Sequence, residues 1–135
     1  MLFPVEVENL FGRVSLVAFG TVDGRGSPNV VPVFWKKILG GGTILLIDNF
    51  MGASMNNVQE NSLVCVSFWD SETEEAYKIK GTAKYLVEGK VYDEGKKILQ
   101  AKDPERVPKG VVEITPTELY TIKPGLEAGK LLKKL

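Results

Sequence analysis

The chain has 135 residues, 44% of them apolar and 25% charged, with 17 Lys plus Arg balancing 17 Asp plus Glu, the makeup of one packed globular domain spanning 1–135. It has no histidine and a single cysteine, Cys65, which within one chain excludes a Ser-His-Asp triad, histidine-ligated haem or metal, disulfides and CxxC redox pairs. Balanced charge gives no footprint for nucleic acid or an anionic membrane, no apolar run approaches the ~20 residues of a membrane helix, and MLFPVEVENLF carries acids where a secretory leader carries bases, so a cytoplasmic protein is expected.

Residues 14–22, VSLVAFGTV, are apolar and β-branched and lead into DGRG at 23–26, whose residues tolerate positive φ, so a strand and a tight turn are expected. A second strand over Pro28–Lys36 and a third over Thr43–Asp48, separated by the GGG at 40–42, complete a predicted three-stranded meander. These runs are nearly continuous in apolar residues, which predicts cover on both faces. A proline inside the second strand, Pro32, marks an edge or a broken ladder, with backbone groups left for something other than a neighbouring strand.

GASMNNVQEN at 52–61 reads as a short helix with Ser54 at its start. Leu63–Trp69 is a fourth strand, DSETEEA at 70–76 a loop, and Tyr77–Val87 a fifth strand in which Gly81 predicts a bulge or a close backbone approach. VYDEGKKILQA at 91–101 is a helix weakened by Gly95. After the proline loop at 103–108, Val111–Thr115 and Glu118–Ile122 read as two more strands with a bend at 115–117. The end, PGLEAGKLLKKL, is expected to be a frayed tail or an arm laid on a partner.

Chemistry concentrates in two places. The first is where the third strand leaves at Asp48 and passes through Asn49, Phe50 and Met51 into the helix near Ser54. Free N–H groups and the positive end of the macrodipole favour an anion there, and a hydroxyl adds a donor. Capping its own helix is the competing role for Ser54. The second is Pro32-Val33-Phe34-Trp35, which offers a flat apolar face to a heterocycle, or equally to the core or to an interface. Lys36-Lys37 and the carboxylates at Glu72, Glu74 and Glu75 read as solvated surface, and Cys65 as an inert core thiol.

The order of these segments resembles the flavin-binding split-barrel proteins related to pyridoxamine 5'-phosphate oxidase, and most closely their small FMN-binding members. The resemblance runs from about Gly12 to Gly129. It rests on Leu16-Val17-Ala18 with the Asp23-Gly24 turn, the Asn29–Lys37 strand, Ser54-x-x-Asn57-Val58, Glu60-Asn61-Ser62, Ile79-Lys80-Gly81-Thr82-Ala83 and Glu118-Leu119-Tyr120-x-Ile122-x-Pro124-Gly125. It implies a mainly β fold, a six-stranded antiparallel Greek-key split barrel with two or three short helices, assembled as a homodimer with FMN in each of two interface clefts.

By position, the resemblance lays Val31, Pro32, Val33 and Phe34 along the isoalloxazine ring. It puts Asp48, Asn49, Phe50 and Met51 beside the ring and ribityl chain, assigns Ser54 to the phosphate and lets Asn57 steady the loop. Relatives often carry Arg or Lys where this chain has Gly52, Ala53 and Ser54, so the expected phosphate site is poor in positive charge. Vitamin B6 oxidation and histidine-dependent haem degradation do not fit the missing arginines and histidine. The implied activity is FMN-dependent electron transfer between an unspecified donor and acceptor, with a deazaflavin coenzyme on the same barrel or a cofactor-free binding module as alternatives.

Overall fold

A computed structural model describes residues 2–49 and 51–135. In chain order its elements are helix α1 (Val5–Arg13), strands β1 (Val17–Val22), β2 (Pro28–Val33), β3 (Lys36–Ile38) and β4 (Ile44–Asp48), helix α2 (Ala53–Glu60), strands β5 (Leu63–Trp69) and β6 (Ala76–Leu86), helix α3 (Lys90–Gln100), and strands β7 (Gly110–Thr121) and β8 (Leu131–Lys134). All the strands pair antiparallel in one sheet, in the order β2-β1-β5-β6-β7-β4-β3, with β8 added to β7. The architecture is mainly β with three helices.

The two edges of that order, β2 and β3, are consecutive in the chain and joined only by Phe34 and Trp35. Three residue steps span at most roughly 11 Å, so the sheet has to roll up until its edges nearly meet. Trp35 carries the seam, since its carbonyl accepts the Ile47 N–H at 2.9 Å. The barrel is therefore closed by the chain and split in its hydrogen bonding.

Burial follows the pleat. Val17, Phe19, Val66, Phe68, Ile79, Val112, Ile114 and Leu119 point into one core, which α1 caps with Val7, Leu10 and Phe11. Phe11 and Phe68 meet edge to face, with centroids 5.2 Å apart at 89°, a favoured aromatic geometry. Only β4 is buried at every position. Its inner face, Ile44 and Leu46, joins that core, while Leu45 and Ile47 lie outside it with Val111 and Leu99, on the side that α3 packs against. Gly95 lets α3 come close, because a Cβ there would stand 2.4 Å from Val111 Cγ2.

Several expectations change. The meander is not formed: β1 and β2 make the predicted hairpin, but β4 pairs with β3 and β7. The expected second strand is two strands broken at Phe34–Trp35, β8 is added at the C-terminal end, and the described residues form eight strands against the six that the resemblance implies. Full cover on both faces holds for β4 alone, since β2 is exposed or half-exposed along most of its length.

The α1 helix had no counterpart in the sequence reading. The two expected final strands are one, β7, with a register irregularity opposite Lys80–Gly81. Gly81 is the predicted bulge and close approach, its Cβ position lying 2.4 Å from the Thr115 carbonyl oxygen. The C-terminal arm lies on its own barrel, Leu135 N–H donating to the Thr117 carbonyl at 2.9 Å. Among the described residues no helix is long and apolar enough to cross a membrane.

Candidate functional site

The seam that closes the barrel also opens a cleft. Because β2 pairs only with β1, its other edge carries no partner strand, which is how Pro32 is tolerated opposite Ala18. Beside that edge lies a hollow of about 410 Å³ lined by Val31, Pro32, Val33, Phe34 and Trp35 on one side and Ile47, Asn49, Met51 and Arg106 on the other. Phe34 is 59% exposed, so its ring is a wall of the cleft and not part of the core.

Six of the sequence-predicted residues therefore converge: Val31, Pro32, Val33, Phe34, Asn49 and Met51. Three others lie behind the wall. The Asp48 side chain accepts the Met51 N–H at Oδ1, 2.8 Å, and the Tyr85 hydroxyl at Oδ2. Ser54 is wholly buried, and its Oγ accepts from Asn29 Nδ2 at 3.1 Å. Asn57 Nδ2 donates to Thr21 Oγ1 at 3.0 Å, tying α2 to β1.

The capping role considered for Ser54 is corrected. Gly52 is the N-cap, at φ 59°, with no side-chain cap bond, because the chain turns through a left-handed conformation that glycine adopts without strain. Phe50 lies outside the described residues.

The cleft's chemistry is an apolar slot with few polar groups. Asn49 Nδ2 is buried and, among the described residues, has no hydrogen-bond partner. Such a donor costs free energy unless an acceptor arrives. Arg106 supplies positive charge to the lining; its Nε lies 3.1 Å from Asp103 Oδ2. The sequence points to Trp35 as an aromatic of the strand but gives no sign of Arg106. It sits in a loop between Pro104 and Pro108 that local sequence marks only as a loop, and the fold alone carries it to the cleft.

Behind Trp35 lies a second recess of about 500 Å³, bounded in part by Arg13, Lys36 and Lys102. Lys36 Nζ donates to the Phe11 carbonyl at 2.6 Å, at the C-terminal end of α1. Burial, and then the charge of Lys102, hold its pKa below the ordinary lysine value. Lys80, on the sheet, instead lies 5.4 Å from the Tyr120 ring centroid.

A rolled antiparallel sheet split in its hydrogen bonding along one seam places the chain in the split-barrel class. Residues 3–123 match the family described as pyridoxamine 5'-phosphate oxidase, and the chain belongs to that family. An uncharacterized protein of Methanocaldococcus jannaschii is 35% identical over 130 residues, covering 95% of this chain and 85% of the relative.

Among solved structures, HupZ of Group A Streptococcus superposes with a TM-score of 0.83 at 28% identity, covering 94% of this chain and 99% of that one. An FMN-binding protein of Syntrophomonas wolfei shares the fold at a TM-score of 0.69 and 15% identity, covering 85% of this chain and 82% of that one. The fold alone is likewise shared with the heme storage protein HutZ of Vibrio cholerae, at a TM-score of 0.71 and 16% identity, and with an F420 reductase, at 0.63 and 18%.

Proposed function

We propose that this protein binds FMN in the seam cleft and uses it for electron transfer. The observation that carries the reading is the buried Asn49 Nδ2, without a hydrogen-bond partner among the described residues, in an apolar slot, which suits a flat heterocycle bearing carbonyl and ring-nitrogen acceptors. Val31, Pro32, Val33, Phe34 and Met51 supply the apolar contact, Asn49 a hydrogen bond, and Phe50 is assigned beside them.

Arg106 brings positive charge to a ligand that carries a phosphate, while the start of α2 holds no charged residue in its first turn. Ser54 is the assigned phosphate contact. Its Oγ accepts from Asn29, which leaves the hydroxyl proton to donate, and the side chain is wholly buried. Asn57 keeps α2 in place. Bound FMN would supply the redox chemistry; the chain's part is to hold the ring, exclude water from one side and hydrogen-bond its polar edge. No histidine is available to ligate a haem.

A second copy of the chain is proposed to cover the exposed Val30, Phe34 and Leu63 and complete the cleft as a homodimer. The protein denatured after purification should release FMN, identified by mass and by its two broad visible bands, and flavin fluorescence should titrate saturably at micromolar FMN. Release of a deazaflavin, with its single band nearer the blue edge, would assign the other coenzyme to the same cleft. A colourless protein without saturable binding would mean a barrel that works without a cofactor. Light scattering on the eluting species checks the dimer.

A further inference from the structure

We infer that Tyr85 is a positioning residue of the cleft, acting through Asp48 to hold both loops that form the wall facing β2. The inference rests on the reading of the seam as the binding site. Asp48 is 2% exposed and joins three otherwise separate pieces of chain. Its Oδ2 accepts the Tyr85 hydroxyl from β6. Its Oδ1 accepts the Met51 N–H at 2.8 Å, which turns the loop that presents Asn49 and Met51. Its main-chain oxygen accepts the Lys109 N–H at 2.9 Å, where the Arg106 loop re-enters the sheet.

That second loop is held again from α3, where the Tyr92 hydroxyl donates to the Pro108 carbonyl at 2.8 Å. The cleft's buried donor and its arginine are thus registered to each other through one residue, Asp48, whose carboxyl group holds the first loop and whose main-chain oxygen holds the second.

Tyr85 has little choice of position. A Cβ on Gly110 would stand 2.3 Å from Tyr85 Cζ and 2.4 Å from its hydroxyl oxygen, so the ring lies against bare backbone at the start of β7, and Gly110 itself pairs with Asp48. Burial first, then the hydrogen bond and charge of Asp48, push the Tyr85 pKa far above the ordinary tyrosine value. The hydroxyl stays a donor throughout the working pH range. Without it, Oδ2 is left in a buried site with no donor, and the carboxyl group loses the contact that orients Oδ1 toward Met51.

The test is amide hydrogen exchange on flavin-free protein, which reads local opening directly. In Tyr85→Phe, exchange at 49–51 and at 106–110 should quicken together by about tenfold, while β5 and α1 keep their protection. The flavin visible bands of the loaded variant should move and its FMN affinity should fall. Asp48→Ala, which leaves the Tyr85 hydroxyl nothing to hold, should loosen the same two loops as Tyr85→Phe.

In the parent protein, saturating FMN should slow exchange at Met51 and Lys109 in parallel, a measurement that needs no variant. Unchanged exchange in Tyr85→Phe, uniform quickening that includes β5, or FMN protection confined to one loop would each overturn the inference. Absence of FMN binding by the parent would instead refute the function proposed above, and the flavin-free exchange data would still decide the role of Tyr85.

Discussion

Gly95 sets two effects against each other, and their sizes decide the outcome of Gly95→Ala. In an exposed helix interior this exchange gains about 1 kcal/mol, because alanine loses less backbone freedom on folding. Here the added Cβ would stand 2.4 Å from Val111 Cγ2 and 3.3 Å from its Cγ1. Val111 is fully buried in β7, and a β-branched side chain in a strand has no spare rotamer to retreat into. Overpacking of this kind costs about 1–3 kcal/mol, so α3 has to lift from the sheet and the net result is a loss of up to about 2 kcal/mol.

Urea unfolding measures that loss, and a cycle with Val111→Ala isolates its cause. The valine variant alone should lose about 2 kcal/mol for its deleted methyl groups. The double variant should then be more stable than additivity predicts by at least about 1 kcal/mol, because the new methyl enters the space vacated. If Gly95→Ala proves about 1 kcal/mol more stable than the parent, as in an exposed helix, or the cycle shows no coupling, the close approach of α3 to β7 is not what glycine serves there.

Other consequences are equally direct. Ser54→Ala should cost about 1 kcal/mol through the Asn29 amide it leaves without an acceptor, with helix content by circular dichroism unchanged because Gly52 makes the cap. Burial raises the Cys65 pKa against the opposing effects of Lys78, Ser67 and Lys80, so its thiolate fraction at neutral pH is low. Iodoacetamide should react with it more slowly than with the unfolded chain. Because the Lys36 pKa is lowered on folding from 10.5, the unfolded state binds more protons in the alkaline range below that value. Stability should therefore rise with pH there, and Lys102→Gln, by removing a like charge, should flatten that rise in a pH series of unfolding curves.

What the sequence disclosed was whatever depended on neighbours within a few residues. The DGRG turn, the alternation of Val64, Val66 and Phe68, and the need for glycine at position 81 are local signals, and the corresponding hairpin, strand and bulge are present. The start of the chain carried two competing periods: Val5 and Val7 alternate with acids as in a strand, whereas Val7, Leu10 and Phe11 lie on one helical face. Burial against the barrel selects the helix. Nothing local marks the break at Phe34–Trp35 in an unbroken apolar run. It exists because β4 pairs with β7 and not with β2, a choice made more than sixty residues away along the chain.

The same distinction separates the legible from the hidden half of the cleft. The strand residues Val31–Phe34 could be picked out because a proline between apolar neighbours advertises an edge, and Asn49 and Met51 because a strand end leads there into a helix. Arg106 is carried to the cleft by a loop tied to α3 by Gln100 and Tyr92, which donate to the Arg106 and Pro108 carbonyls, and to β4 by the bond from Lys109 to Asp48.

That dependence bears on how such a site can be charged. On the proposed reading, a cation at the start of α2 would lie beside the ligand's phosphate through local geometry alone, whereas one carried on the loop at 103–108 depends on the bonds of that loop to α3 and to Asp48. Moving the positive charge from helix to loop thus converts a local requirement into a tertiary one. Ligand affinity then becomes coupled to the packing of β6 and α3, which never touch the cleft.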